Sequence, residues 1–456
     1  MSRKDRRQSY KELREKYPEF CYHSFKYQWI NKKLEIEFEF HLGDSYQFYP
    51  KHSIQLPASM PIPSIPKDEL DLLVFHLGMV ELVSYWKAAC APRVIIKPFQ
   101  LSEKQITWWK KLYFEGLGEF FYLNMLEVAI EDFMHIHCED APLLPSSPTP
   151  ILNEQVLVPI GGGKDSVVSL ELLKDLKKPL IPFVVNPRGA TIESIENAGF
   201  KLEDALFTKR SIHPQLLALN AEGFLNGHTP FSAMLAFLSL LVARLSNSRY
   251  ITLSNESSAN ESTVSGTNIN HQYSKSYEFE EDFRNYYQQY LSKDIEYFSF
   301  LRPLSELQIA CVFSGLKKHH LSFKSCNVGS KENIWCGYCP KCLFTYVLLS
   351  PFIPQKELHQ IFGKALLNDD SLKPILNELR GKTDTKPFEC VGTVEEVELS
   401  LAHALKEYQS ESLMNDLSIN TQPENLKKAL KEWNAIHFLP KEFETLLQEK
   451  IKSCGN

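Results

Sequence analysis

The sequence predicts an α/β protein built on a doubly wound parallel sheet, with an α+β domain before it and a mainly helical region after it. Three observations carry that expectation. Between 156 and 253, short apolar runs alternate with helical stretches, the grammar of parallel strands joined by crossover helices. Ahead of them, Lys33 to Phe40 reads KLEIEFEF. Strict polar–apolar alternation marks a half-buried strand of the antiparallel kind. Beyond residue 350 the pattern is helical, broken by one irregular insert, KTDTKPFECVGT.

Taken in order, the elements are these. Prolines 57, 61, 63 and 66 form a connection after the alternating strand. Residues 67 to 135 carry helix-like patterns rich in Leu, Phe and Trp. The stretch APLLPSSPTP, 141 to 150, has four prolines and reads as a linker. Val156 to Ile160 is a short apolar strand, and a glycine loop and a helix through Val167 to Leu176 follow it. Leu180 to Val185 is the second strand, ended by Asn186-Pro187-Arg188-Gly189. A short helix near Ile192 to Asn197 stops at Gly199. Ala205 to Thr208 forms a third strand, and a long helix near 230 to 246 leads to a fourth, Tyr250 to Leu253. The expected domains are 1–145, 146–350 and 351–456. Ligands of such a sheet bind beyond the carboxyl ends of its strands. The glycine loop and the loop after Leu253 both fall there.

Composition narrows the function. The chain has 456 residues, 43% apolar and 23% charged, with net charge -6. That balance provides for large cores and does not favour non-specific nucleic-acid binding. The basic N-terminus, MSRKDRRQSYKELREKYPEF, is not followed by an apolar stretch, so it is no secretory signal. The most apolar segment, Phe231 to Val242, is interrupted by Ser239 and closed by Arg244. It is too short for a bilayer and reads as a buried helix. A soluble cytoplasmic chain with no membrane partner is expected. Of the 10 cysteines, Cys326, Cys336, Cys339 and Cys342 cluster. Clustered thiols in the cytosol suggest metal before disulfides.

The glycine loop is Gly161-Gly162-Gly163-Lys164-Asp165-Ser166. Consecutive glycines allow a sharp turn that brings several N–H groups to one point, and a helix start adds its positive end. This suits a phosphate. A Walker A loop is excluded because Asp165 follows Lys164 and Val158 sits at the first glycine position. The dinucleotide pattern fails at Ser166. The segment instead resembles the SGGxDS loop of the ATP-pyrophosphatase (PP-loop) superfamily. That resemblance implies ATP split to AMP and pyrophosphate, with the loop gripping pyrophosphate and Asp165 helping to hold Mg2+. The first Ser of that pattern is Gly161 here, so one hydroxyl contact is lost. The plain alternative is a glycine-rich turn in some other α/β protein.

Cys336-Gly337-Tyr338-Cys339-Pro340-Lys341-Cys342 places three thiols at turn-like spacing, and Cys326 can return as a fourth. Four thiolates satisfy a closed, structural tetrahedral zinc site. An iron–sulfur cluster or a set of reduced thiols are the alternatives.

Longer segments narrow the resemblance. They are NGHTPFSAMLAFLSLL (226 to 241), ITLSNESSANES (251 to 262), HQYSKSYEFEEDFR (271 to 284), FSFLRPLSELQIA (298 to 310), CGYCPKC (336 to 342) and KPFECVGT (386 to 393). Together they resemble the UDP-N-acetylmuramoyl-L-alanyl-L-glutamate epimerases (MurL type), from the glycine loop to about residue 393. The resemblance implies a UDP-muramoyl dipeptide substrate whose terminal L-Glu becomes D-Glu, a peptidoglycan precursor. It implies consumption of ATP, because adenylation cancels the carboxylate charge that opposes removal of the α-proton.

The remaining candidates follow from position and residue type. Asn255, Glu256, Ser257, Ser258, Asn260 and Glu261 follow an expected strand end; a solvated polar loop is the plain alternative. Glu256, His228 and His271 are candidate proton carriers. Arg188, Lys275 and Arg302 suit phosphates or carboxylates, and Asn255, Ser257, Asn260 and Glu261 complete the substrate set. Cys390 in KPFECVGT is a nucleophile or acid, or more plainly a packed thiol. Competing functions are another adenylating PP-loop enzyme, of deazapurine nitrile synthase or tRNA-modifying type, and a non-enzymatic zinc-stabilised nucleotide-binding module.

Overall fold

The alternating run KLEIEFEF does form a strand, β2 (Lys33–Leu42), and it sits beside β1 (Glu19–Ile30) in antiparallel register. The protein was analysed as a computed structural model. It describes residues 3–138, 140–145, 152–261, 263–264, 270–405, 408, 410–415, 417–419 and 421–455. Residues 146–150 of the proline-rich linker lie outside the described residues. The remaining strands are β3 (Tyr46–Phe48), β4 (Lys51–Gln55), β5 (Arg93–Ile96), β6 (His135–His137), β7 (Asn153–Pro159), β8 (Leu180–Val185), β9 (Leu206–Ser211), β10 (Ser248–Leu253) and β11 (Glu296–Ser299). The chain divides into two compact units. One comprises Met1–Gln155, Leu206–Ile251 and Ile269–Glu296; the other comprises Val156–Ala205, Thr252–Asn268 and Tyr297–Asn456.

In the first unit the strand order is β9-β4-β2-β1-β5-β6, with β3 also on β2. One face of this sheet carries Phe20, Tyr22, Leu34, Ile36, Phe38 and Phe40, all buried. The helix Lys67–Trp86 covers that face and is itself almost wholly buried. Tyr22 stacks on Phe75 of the helix at 5.7 Å between ring centroids. The helix Phe231–Leu245, the apolar segment of the sequence, packs against the helix Lys67–Trp86, and Arg244 ion-pairs with Glu69. Such a helix is apolar almost all round because it is surrounded by protein. No helix among the described residues is long and apolar enough to cross a membrane.

The second unit holds the strand–loop–helix–strand unit read from the sequence. β7 and β8 pair in parallel, from Val156↔Leu180 to Pro159↔Phe183. The helix Lys164–Leu173 connects them. The neighbouring strands run in the order β11-β10-β7-β8, with β7, β10 and β11 each divided between the two units. Helices dominate beyond residue 350, and Phe443 of the last one, Lys441–Ile451, meets Phe298 at 4.8 Å.

Three features differ from the sequence expectation. The strand at 205–208 forms as β9, but it pairs antiparallel with β4, Thr208 facing Ile54. The sheet is therefore mixed rather than uniformly parallel. β5 and β6 have four and three residues, too short for periodicity to declare them. Two of the scattered cysteines, Cys311 and Cys454, form a disulfide; their separation of 143 residues hides the pair from any spacing argument.

A buried ionic cluster locks the first unit. His52 and Arg210 are register partners on β4 and β9. Glu81 of the covering helix accepts from Arg210 at 2.8 and 2.6 Å and meets His52 Nε2 at 3.2 Å. Burial alone would raise the Glu81 carboxyl, but Arg210 and His52 outweigh it and hold it at about 2. An unfolded glutamate titrates near ~4.3. The folded pKa is the lower one, so this carboxyl stabilises the fold above pH ~4.3, and the contribution fades as pH falls towards about 2. Glu81→Gln should cost ~3–5 kcal/mol at neutral pH by leaving Arg210 unbalanced. It should also flatten the loss of stability on acidification. Urea unfolding at neutral and acidic pH measures both; an unchanged acid slope would refute the assignment.

Candidate active site

The loop after β7 owes its shape to two residues. Gly162 has φ +82°, and a Cβ there would lie 3.0 Å from atoms of Ala190 and Thr191. Only glycine accepts both the left-handed turn and that approach. Ser166 closes the turn: its Oγ accepts from the Gly162 N–H at 3.2 Å and donates to the Gly163 carbonyl at 3.0 Å. A Cβ on Gly161 would meet nothing within 4 Å. Packing therefore does not demand glycine where the superfamily pattern has serine. The helix Lys164–Leu173 starts at once, with Gly163 as an N-cap that supplies no side chain. Its first N–H groups face the loop uncapped, the arrangement that attracts an anion.

Three more helices begin at this place. Lys164 Nζ ion-pairs with Asp165 and with Glu306, the first residue of the helix Glu306–Ser314. The Glu306 N–H donates to Glu396 Oε1 at 2.7 Å, and Glu396 lies in the first turn of the helix Val394–Ala404. Lys341, in the first turn of the helix Pro340–Leu349, acts electrostatically on Glu306. Its Nζ bonds the Cys390 carbonyl, and its N–H donates to Glu389 at 2.9 Å. A Cβ on Gly392 would lie 2.5 Å from Glu396 Oε2, 3.0 Å from Phe344 and 3.2 Å from Glu306. The glycine of KPFECVGT thus lets three helices approach one another. Converging helix N-termini sum their positive ends.

The charges here are strained against burial. Burial opposes the Lys164 ammonium, but Asp165 and Glu306 outweigh it and raise its pKa. Burial raises Glu306, reinforced by Asp165 and Glu256 and opposed by Lys164 and Lys341. Glu306 is 2% exposed and Asp165 27%. Asp165 is the more open of the two carboxylates to solvent. Burial also lifts Glu389 to about 7.

The candidates named from sequence divide between the two units. With the glycine loop stand Glu256, Asn255, Ser257, Glu261 and Arg302. Glu256 is buried and accepts from Ser258 at 3.2 Å. Arg302 is fully buried and donates to the Glu256 carbonyl at 2.7 Å, so it braces the loop after β10 from within. Asn255 donates to Ser299 at 3.0 Å, and the Ser257 N–H to the Leu304 carbonyl at 3.1 Å. Glu261 pairs with Lys386. The side chain of Asn260 lies outside the described residues. Arg188 is exposed at the start of the helix Gly189–Asn197, whose Ala190 abuts Gly162. Sequence reasoning missed Glu306, Glu396, Lys341, Glu389 and Lys386. All but Glu396 stood inside quoted motifs, Glu306 in FSFLRPLSELQIA, Lys341 in CGYCPKC, and Lys386 and Glu389 in KPFECVGT, but nothing in their spacing showed that Glu306 would meet Lys164 or Glu389 would meet Lys341.

His228, His271 and Lys275 belong to the first unit. Glu119, also unforeseen, joins them: its Oε2 lies 2.5 Å from His271 Nδ1 and 3.7 Å from His228 Nδ1. The two imidazole centroids are 4.5 Å apart. Burial pushes His228 down to about 4, helped by His271, Lys87 and Lys275. Lys87, bonded to the Gly227 carbonyl, is itself pushed down to about 8 by burial.

The four clustered cysteines also meet. Sulfur separations are 3.8 Å for Cys326–Cys339, 3.7 Å for Cys336–Cys342 and 3.5 Å for Cys339–Cys342. Four ligands on a tetrahedron with Zn–S bonds of ~2.3 Å stand roughly 3.8 Å apart. The donor set and its spacing both fit zinc. Backbone N–H groups of Gly329 and Gly337 donate to Cys326 and Cys342 at 3.1 and 3.4 Å, as suits thiolates.

The two glycines offer a contrast. Gly162→Ala should cost roughly 1–3 kcal/mol of stability through backbone strain, while Gly161→Ala should cost little. Chemical denaturation of both variants measures the difference; equal effects would refute the loop geometry.

Comparison with known proteins places this arrangement. The MurL N-terminal domain family matches residues 11–300, and the MurL C-terminal domain family matches residues 322–432. A protein from a Micromonospora strain named UDP-N-acetyl-alpha-D-muramoyl-L-alanyl-L-glutamate epimerase is 36% identical over 355 residues, 75% of this chain and 78% of that one. Proteins of the same name from Xanthomonas oryzae and Salinispora tropica are each 35% identical, over 72% and 75% of this chain and 73% and 76% of theirs. No solved structure matches the chain significantly. With both domain families matched in order and the relatives aligned over most of their length, the chain belongs to the UDP-N-acetyl-alpha-D-muramoyl-L-alanyl-L-glutamate epimerase family.

Proposed function

We propose that this protein inverts the terminal L-Glu of UDP-MurNAc-L-Ala-L-Glu to D-Glu in the cytoplasm, at the expense of ATP, releasing AMP and pyrophosphate. Family membership supports the substrate. The observation that supports the ATP step is the gathering of four helix starts around a glycine loop, with Lys164 between Asp165 and Glu306. In this reading Gly161, Gly162, Gly163, Lys164 and Ser166 hold the pyrophosphate portion. Asp165 would hold Mg2+, whose charge would offset that of the phosphates. Arg188, Asn255, Ser257, Asn260, Glu261, Lys275 and Arg302 form or brace the substrate contacts.

The chemistry explains why a nucleotide is needed. A free carboxylate beside the α-carbon opposes the carbanion left by proton removal. As an acyl adenylate its charge is cancelled, and the carbonyl accepts electron density. Hydrolysis then returns the carboxylate. Proton removal and return take place on opposite faces of the carbon. A donor or acceptor on each side at ~3 Å demands nitrogens roughly 6 Å apart with the carbon between them. The acid–base candidates are His228 and His271 in the first unit, with Glu119 against His271, and Glu256 in the second.

In heavy water the D-Glu product should carry one deuterium at the glutamate α-carbon, formed only with ATP and Mg2+. Asp165→Asn should cut turnover sharply without unfolding the protein. Mass spectrometry of product and nucleotide gives the test: ADP as the nucleotide product, or a dipeptide that keeps its configuration and hydrogen, defeats the proposal.

We further propose that Cys326, Cys336, Cys339 and Cys342 hold one structural Zn2+. Elemental analysis of protein purified without chelator should find it, and Cys339→Ser should lose it and loosen residues 326–345. Four titratable free thiols in the intact protein would rule zinc out.

A further inference from the structure

The outward face of the first unit's sheet carries a row of acids on β2: Glu35, Glu37 and Glu39. Two of them take ammonium partners. Glu35 pairs with Lys33, and Glu37 with Lys26 at 2.7 Å and Lys51 at 2.8 Å. Glu39 departs from this pattern. Its ion-pair partners are two imidazoles, one to each oxygen: His23 Nδ1 at 3.2 Å from Oε2 and His41 Nε2 at 2.9 Å from Oε1. An ammonium has only protons to give, whereas an imidazole can also give a lone pair. Two such nitrogens beside one carboxylate can serve as metal ligands as well as hydrogen-bond partners.

A bend in the backbone allows this meeting. Tyr22 pairs with Phe40 and Ser24 with Glu39, so His23 is an extra residue in β1, a β-bulge. Without the bulge, strict alternation would send Ser24 to the same face as Tyr22, into the core. With it, Ser24 and His23 both reach Glu39, Ser24 Oγ at 2.6 Å and His23 as above. Bulges commonly re-aim side chains beside functional sites. His41, two residues from Glu39 along β2, lies on the same face, and its ring stacks on that of His23 at 4.7 Å and 13°. One ligand atom from each of His23, Glu39 and His41 lies within 4.8 Å of the others. Ser24 donates to the carboxylate oxygen that His23 also meets and holds it in place, as outer partners of metal ligands do. All three side chains are partly exposed, at 40%, 26% and 22%, so an ion can enter from solvent.

We propose that His23, Glu39 and His41 form a binding site for a divalent transition metal such as Zn2+, Ni2+ or Co2+, distinct from the cysteine cluster and from the glycine loop. Two imidazoles and one carboxylate select borderline metals over Mg2+ or Ca2+, which prefer all-oxygen shells. Three protein ligands leave a coordination position open to water or to a ligand in solution.

The test uses full-length protein with its cysteine cluster intact. Wild type and the variants Glu39→Gln, His41→Gln and Glu37→Gln are dialysed against buffered free zinc in the micromolar range, and metal per chain is measured. Glu39→Gln and His41→Gln should each hold one equivalent less than wild type. Glu37→Gln, which removes a neighbouring acid of the same row, should match wild type. Circular dichroism checks that all four remain folded. Equal metal content in all four proteins overturns the proposal. So does a loss shared by Glu37→Gln, which would mean diffuse attraction to an acidic face.

Discussion

The second unit is organised around one buried ammonium. Lys164 stands at the first position of a helix, where an unbalanced positive charge adds to the helix's own positive end. Left alone, that combination would be costly in a site so poorly hydrated. Asp165 and Glu306 balance it. Glu306 can do so only if its own helix starts at the same point, and Glu396 accepts its N–H only if a third helix does too. One charge thus dictates where three segments far apart in sequence must begin. The same gathering sets several helix N-termini beside a loop of glycines, and the dipoles of such termini favour negative charge.

The first unit solves a similar problem differently. Its covering helix buries Glu69 and Glu81 on a largely apolar surface, and each is met by an arginine, Arg244 or Arg210. Neither pair need stabilise the fold more than well-packed hydrocarbons would. What they enforce is registration: Arg210 reaches Glu81 only when β9 lies on β4 with Arg210 opposite His52. Antiparallel pairing of this returning segment is thereby favoured over the parallel pairing its surrounding pattern suggests.

What the sequence made legible follows from the range of each signal. β2, β7, β8 and the helix Phe231–Leu245 were readable because periodicity and apolar runs are local, and each element is long enough to declare itself. The glycine loop and the cysteine cluster were readable because their chemistry is packed into a few consecutive residues. Glu306 and Glu119 were not. Each is an ordinary acid on a helix, and only the folded chain brings it to Lys164 or to His271 across 142 or 152 positions. The disulfide between Cys311 and Cys454 was hidden for the same reason. The units themselves are discontinuous, each assembled from three stretches, and a linear reading has no term for a segment that leaves a unit and returns.

The bulge at His23 shows a further limit and its physical origin. A period of two fixes which side chains share a face, so one extra residue reverses every assignment beyond it. Read as an unbroken strand, Phe20 and Tyr22 face the core while Cys21 and His23 face out, and the alternation would then send Ser24 inward. The fold instead keeps Phe20, Tyr22, Phe38 and Phe40 inside and moves Ser24 out to Glu39. The apolar side chains determine this outcome, since exposing even one buried phenylalanine costs ~1.5–3 kcal/mol, more than a bulge forfeits by missing one ladder bond. Packing on the inner face therefore selects where the strand kinks. The polar cluster outside is a consequence of where the core allows the kink to fall.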